Sequence, residues 1–600
     1  MSASIAIGSD TLGWPLPSAL HAITVSIPNW HENVEYLEGQ PATVDAMTTG
    51  YPRFFIHHSI QKLADICLKM FGHEGELCLL CPTQRTAEHG KTFIHNLALQ
   101  ASKPPEVRVI CYDIVRSASS KVSEGPMESG PFMSSPTKVY IIFFHAETYK
   151  IARQFWQNCG LGISSRYAEL CLSILGIPGF PQTQLSEFLC AYGKSPSRKF
   201  KEVLVPKPQD ESELPFVTGS DAKSALRRRM AGFFVCDESV PSVTEDDVFL
   251  FPCGMSALWN AHQLLMGCRP PERSVVFGFP YTDTIKILQK SGPGAIFYGY
   301  GEDSDIDDLD TMLAKKVTET PSQPPILALF TECPSNPRLH TVNMPRLRAL
   351  ADKYDFLIVI DETIGTFANV NVLPYADIVV TSLSKFVCGY ATALGGSLVV
   401  NPRMRYHTLL KEHLTSMYED TYFDPDAIVM ERNSRDFSER MRITNTNAEY
   451  ICDFLHTRSI EGGASEKDGL GAPVIKRVYY PKYVSRKNYE VCRRRLPTGE
   501  LDTENGGYGG LFSLTFTSMK ASETFYNTLE VAKGPTLGTT FTLCCPYTLL
   551  GHYWELDWAA SYGVDEGLVR VSIGTEDRAE LFRAVEVALR AAESACMERT

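Results

Sequence analysis

The sequence predicts an α/β protein with a mainly parallel sheet, and three stretches carry that prediction. Residues 356–361 (FLIVID) are an apolar run ending in a carboxylate, as a buried strand of a parallel sheet would be. Residues 377–381 are a second such run, leading into Ser382-Leu383-Ser384-Lys385. A Gly-rich segment then leads to a third run at 397–400. This order puts Asp361 and Lys385 at the ends of neighbouring strands, where open α/β sheets hold their ligands.

Pyridoxal phosphate needs such a pair. A lysine forms a Schiff base with it, and a carboxylate keeps its pyridine nitrogen protonated so that the ring accepts electrons. Taken singly, Lys385 also reads as a solvated loop lysine, and Asp361 as a helix cap or turn residue. The hydroxyls before the lysine and Gly395-Gly396 after it favour the cofactor reading.

Six hundred residues are enough for several cores. Lys and Arg number 57 against 70 Asp and Glu, a net charge of −13. No global basic field therefore argues for nucleic acid or an anionic membrane as a partner. The seventeen cysteines are an odd number. Their one tight pair, Cys78 and Cys81, has no second pair nearby, so buried thiols in a reducing compartment are expected rather than a metal site. No basic segment followed by an apolar one opens the chain, and no apolar run reaches membrane-spanning length. The expected location is cytoplasmic.

Residues 1–60 read as an arm broken by Pro15, Pro17, Pro28 and Pro41, ending in Gly50-Tyr51-Pro52-Arg53-Phe54-Phe55. Such arms usually lie across another surface. Residues 61–205 read as an accessory α/β domain, with strands at 75–81, 107–112 and 139–144, a loop at 117–137, and helix over 146–173 broken near Gly160. No group of residues there suggests chemistry. A polar linker over 206–221 precedes a helix at 222–233, whose three arginines read as a solvated or subunit-facing surface. The core domain, 222–405, carries further strands at 248–251, 275–279 and 326–331, and βαβ units follow from the alternation. Residues 406–600 start helical and read as a smaller α+β domain, with strands at 477–480, 511–516 and 568–573 and a final helix over 578–593. The Gly- and Arg-containing excursion at 460–505 reads as loop.

In order, these pieces are Cys253-Gly254-Met255 before a helix, Pro280-Tyr281, ExPxNP at 332–337, Asp361, SLSK and LVRVSIG. As a set they resemble the Cys/Met-metabolism family of pyridoxal-phosphate enzymes, of aspartate-aminotransferase-like fold (fold type I). The likeness is dense over 220–600 and nearest to the fungal cystathionine γ-synthases, which also carry a long N-terminal extension. It implies that Lys385 is the Schiff-base lysine and that Ser382 and Ser384 donate hydroxyls to the phosphate, beside the Gly254 and Met255 amides. It implies that Tyr281 stacks on the ring, Asn336 lies beside its phenolic oxygen, and Asp361 meets the pyridinium. Catalysis would fall to Lys385, Tyr281 and Asp361. Arg570 would clamp the substrate carboxylate, with Thr536 beside it.

Tyr51 and Arg53 resemble the Tyr-x-Arg by which one subunit reaches its neighbour's phosphate, in a homodimer or homotetramer. Two departures stand out. Cys253 replaces a serine, and Phe541 stands where many members carry glutamate, which puts recognition of the substrate's distal groups in doubt. The implied reaction is γ-replacement on an activated homoserine ester, O-acetylhomoserine with cysteine giving cystathionine. Another nucleophile, or a β- or γ-lyase, is the alternative.

Overall fold

The computed structural model describes residues 11–52, 54–115, 137–179, 218–234, 241–465, 473–495 and 505–597. Arg53, most of the expected linker and most of the expected loop at 117–137 lie outside them.

The N-terminal α/β unit carries β1 (Glu76–Cys81), β2 (Val107–Ile114) and β3 (Thr137–His145), ordered β1-β3-β2 with both pairings antiparallel. Helices His58–Phe71, Gln84–Gln100, Tyr149–Cys159 and Ser165–Ile174 cover it. The expected break is at Gly160, whose φ of 63° lies in the left-handed region that glycine enters cheaply. Alternation along β3 sends Ile141 and Phe143 to one face and Ile142 and Phe144 to the other. Cys78 and Cys81 likewise face opposite sides of β1 and pack into different clusters, so they do not converge on one metal.

The central sheet has seven strands. They are β4 (Val248–Phe251), β5 (Ser274–Phe277), β6 (Ala295–Tyr298), β7 (Ala328–Glu332), β8 (Leu357–Asp361), β9 (Ile378–Ser382) and β10 (Gly396–Val400), ordered β4-β10-β9-β8-β7-β5-β6. The pairings from β6 to β9 are parallel, and β10 runs antiparallel to both of its neighbours. Both faces are covered, which is why the first four residues of β8 are all apolar: Ile358 and Ile360 enter one cluster, Leu357 and Val359 another. That second cluster also holds Leu79, Ile142 and Phe155, so the accessory unit and the central sheet share one core.

The third sheet, β11 (Ile475–Tyr479), β12 (Leu511–Phe516), β13 (Ala532–Lys533), β14 (Leu543–Pro546) and β15 (Val569–Ser572), is ordered β11-β12-β15-β14-β13. Only β13 and β14 pair in parallel. Helices Phe437–Thr457 and Met519–Thr528 pack against it, and Arg578–Met597 packs on those two helices.

The arm lies across this last unit. The Ile27 N–H donates to the Lys533 carbonyl (3.0 Å), and the Tyr526 hydroxyl donates to the Ile27 carbonyl (2.7 Å). Nearer the cavity, the Ile23 N–H donates to the Ala391 carbonyl (2.8 Å). Among the described residues, no helix is long and apolar enough to cross a membrane.

Candidate active site

Asp361 ends β8 and Ser382 ends the adjacent β9, with Lys385 just beyond, so the expected pair opens onto one cavity at the carboxyl ends of the parallel strands. The cavity wall also includes Gly254, Met255, Tyr281, Asn336, Ser384, Arg570 and Tyr51.

Lys385 is only 8% exposed, and its amine donates to the Tyr51 hydroxyl and to Thr536 Oγ1, both at 2.9 Å. Burial pulls its pKa below the ordinary 10.5; contact with Tyr51 opposes that shift and the Arg570 charge adds to it. A buried amine held toward its neutral form is a nucleophile and a base. Thr536, expected on the substrate, thus touches the lysine.

At the other end, Arg570 is pinned on three sides. Nη1 donates to Asn336 Oδ1 (3.1 Å), and Nη2 donates to the carbonyls of Pro535 (3.0 Å) and Thr536 (3.2 Å). Its guanidinium lies over the Tyr547 ring, 4.6 Å from the centroid, and the Tyr547 hydroxyl accepts from Asn336 Nδ2 (3.2 Å). Asn336 and Arg570 are therefore coupled.

Asp361 Oδ1 accepts from the Thr363 N–H (2.8 Å), and burial raises its pKa. In register with it on β7 stands Glu332, which the sequence reading passed over within ExPxNP. Its Oε1 accepts from the Tyr281 N–H (2.6 Å) and its Oε2 from the Asn336 N–H (3.0 Å). Burial and the Asp361 charge push the Glu332 pKa well up, and its two backbone N–H donors oppose that shift.

Cys253 caps helix Gly254–Cys268, its Sγ accepting from the Ser256 N–H (3.4 Å). A Cβ on Gly254 would lie 2.6 Å from Ser382 Cβ, so glycine lets the helix start close onto the β9 end. A phosphate-bearing pyridine fits these donors. Helix-start amides and the Ser382 hydroxyl suit the phosphate, Asp361 suits the ring nitrogen, and Lys385 opens onto the same cavity.

Three residues named from the sequence meet partners within their own chain. The Ser384 hydroxyl donates to the Gly395 carbonyl (3.2 Å) and accepts from its N–H (3.0 Å), so it braces the loop after Lys385 rather than offering its proton to the cavity. Tyr51 meets Lys385 of its own chain, the arm before it being tied to Ala391 and Lys533 of the same chain. Phe541 packs with Leu16, Ala532 and Leu543 outside the cavity wall.

The sequence reading also missed the accessory unit. Trp156, Gly160 and Ile163 line the cavity, joined by His21 and Phe54 of the arm. Apart from the His21 imidazole these are apolar or backbone contributions delivered by packing, and nothing in their local sequence marks them.

Residues 240–590 match the model of the Cys/Met metabolism PLP-dependent enzymes, and residues 59–164 match that of the N-terminal domain of fungal trans-sulfuration enzymes. The chain is 45% identical to the cystathionine gamma-synthase-like enzyme iboG2 of Amanita muscaria, over 98% of this chain and 97% of that one. It is 38% identical to the cystathionine gamma-synthase of Neurospora crassa, with 97% and 98% covered. To the alanine racemase ungC of Aspergillus violaceofuscus it is 32% identical, with 97% and 96% covered. The chain belongs to the Cys/Met metabolism family of PLP-dependent enzymes, has fold type I, and takes pyridoxal phosphate as its cofactor.

Proposed function

We propose that this enzyme replaces the γ-substituent of an activated homoserine ester, O-acetylhomoserine, with the sulfur of cysteine, giving cystathionine and acetate. The observation that carries the reading is one cavity holding a buried amine at Lys385 and a pinned guanidinium at Arg570, in a chain similar to a cystathionine gamma-synthase over nearly its whole length.

Arg570 offers its fork to the α-carboxylate, held in orientation by Asn336 and the Pro535 and Thr536 carbonyls. Lys385 Nζ then takes the α-proton, with Tyr51 and Thr536 fixing the amine's position. Asp361 would hold the ring nitrogen protonated. When bound, the cofactor supplies the electron sink that stabilises charge at Cα and Cβ. The Cγ–O bond breaks, acetate leaves, and the thiol sulfur bonds to Cγ. The working assembly is a homodimer or homotetramer, checked by light scattering.

Relatives of similar coverage carry other names, a racemase among them, and this supports a second reading: the same amine serving a different nucleophile or a simpler proton exchange. Purified protein given O-acetylhomoserine with and without cysteine separates the readings by mass spectrometry. Cystathionine formed only with cysteine supports the proposal. Turnover to 2-oxobutyrate and ammonia without an acceptor makes the enzyme a lyase, and inert O-acetylhomoserine beside racemising alanine overturns γ-replacement.

A further inference from the structure

Residues 158–166 of the accessory unit meet three separate segments that carry the cofactor site. The first contact is with the helix start. The Cys253 thiol donates to the Gly160 carbonyl (3.6 Å), and a Cβ on Gly160 would lie 2.3 Å from that sulfur and 3.3 Å from Met255 Cβ. The second is with the helix that opens just after Tyr281: Asn158 Nδ2 donates to Asp283 Oδ1 at 2.8 Å, both residues being buried. The third is with the loop after Lys385. Arg166 Nη2 donates to the Thr392 carbonyl of that loop at 2.6 Å, and its Nη1 pairs at 2.8 Å with Asp426 of the separate helix Asp424–Asn433. Arg166 and Asp426 are both nearly inaccessible to solvent, so the join depends on mutual satisfaction of buried polar groups.

We propose that residues 158–166 clamp the cofactor site, with Gly160 and Asn158 as positioning residues that hold the helix start and Tyr281 where the cofactor meets them. The proposal rests on the cofactor occupying this cavity. It gives the accessory unit a role in the chemistry and gives the Cys253 departure a reason. The thiol stands at the point where the clamp touches the helix start, and its larger atom fills the space left by a glycine that cannot carry a side chain.

The test measures cofactor release from holoenzyme on dilution, followed by absorbance, alongside the melting temperature of each apoenzyme. Gly160→Ala forces a methyl onto the Cys253 sulfur and releases cofactor about tenfold faster than wild type. Alanine at a positive φ is also strained wherever it occurs. The double variant Gly160→Ala/Cys253→Ala keeps that strain but removes the sulfur, and its release slows back toward wild type. Asn158→Ala, which adds no bulk, also speeds release; because it leaves the buried Asp283 oxygen without this donor it lowers the apoenzyme melting temperature too, so release is compared well below every melting point. Wild-type release in either single variant, or a double variant as fast as Gly160→Ala, overturns the clamp. If Gly160→Ala does not fold, Asn158→Ala decides alone.

Discussion

Lys385 Nζ lies 2.9 Å from the Tyr51 hydroxyl and the same distance from Thr536 Oγ1, so the N-terminal arm and the C-terminal unit meet on one amine. Because the arm is tied to the C-terminal sheet at Lys533 and to the lysine loop at Ala391, this meeting is a property of the whole chain rather than of a local motif.

Burial lowers the Lys385 pKa and Tyr51 raises it, so removing the phenol lowers it further. The neutral amine is the form that captures cofactor, so capture by apoenzyme rises with pH toward the lysine pKa. Tyr51→Phe is expected to move that limb to lower pH and to slow turnover about tenfold, the cost of one hydrogen bond to a charged group. Capture rates across a pH series provide the check, and a limb moved to higher pH rejects the contact.

Glu332 receives two backbone N–H groups, one on each oxygen, from the residues that present Tyr281 and Asn336 to the cavity. Glutamine has one acceptor oxygen, and its amide NH2 would face the other N–H. An unsatisfied buried donor costs about 1–3 kcal/mol, so Glu332→Gln is expected to weaken cofactor binding about tenfold. Titrating apoenzyme with pyridoxal phosphate measures this. Unchanged affinity would mean that the two backbone segments hold their places without Glu332.

The strands β8, β9 and β10 were legible because sheet strands covered on both faces carry runs of consecutive apolar residues, and Asp361 and Lys385 were legible because each comes after such a run. β13 was not, since two residues leave no period to read. Tyr51 was legible as a motif but not as a contact to its own chain, because the fold closes that distance through the arm's path. Gly160 acts through its carbonyl and its lack of a side chain, which sequence reading registers only as a helix break.

His21 and His262 are buried, and burial lowers each pKa from 6.5 to about 4; for His21 the nearby Arg166 charge adds to that shift and Glu169 opposes it. A histidine held neutral in the fold takes up a proton more readily once unfolded. Stability is therefore full above pH 6.5 and falls as pH drops from there toward 4. The loss between pH 7 and pH 5 is ~2 kcal/mol per histidine. Denaturant unfolding at both pH values checks this, with His21→Gln expected to show a shallower loss than wild type. An equal loss in the two proteins would mean that His21 does not contribute.

Phe541 provides the sharpest contrast between motif and structure. At a position where the family pattern implies glutamate, it invites the inference that substrate preference has changed there. Its ring instead packs against Leu16 of the arm and against Ala532 and Leu543, beside strand residues and outside the cavity wall. The wall in this region comes from Pro535, Leu537 and Cys545. Phe541→Ala is therefore expected to cost stability, about 1–2 kcal/mol for a partly exposed ring, by loosening the arm's seat. The same variant is expected to leave the product distribution from any accepted substrate unchanged. Denaturant unfolding and product analysis on one preparation test both halves. A changed product ratio at unchanged stability would return Phe541 to the site, and lost stability at a constant ratio would leave substrate selection to the cavity wall.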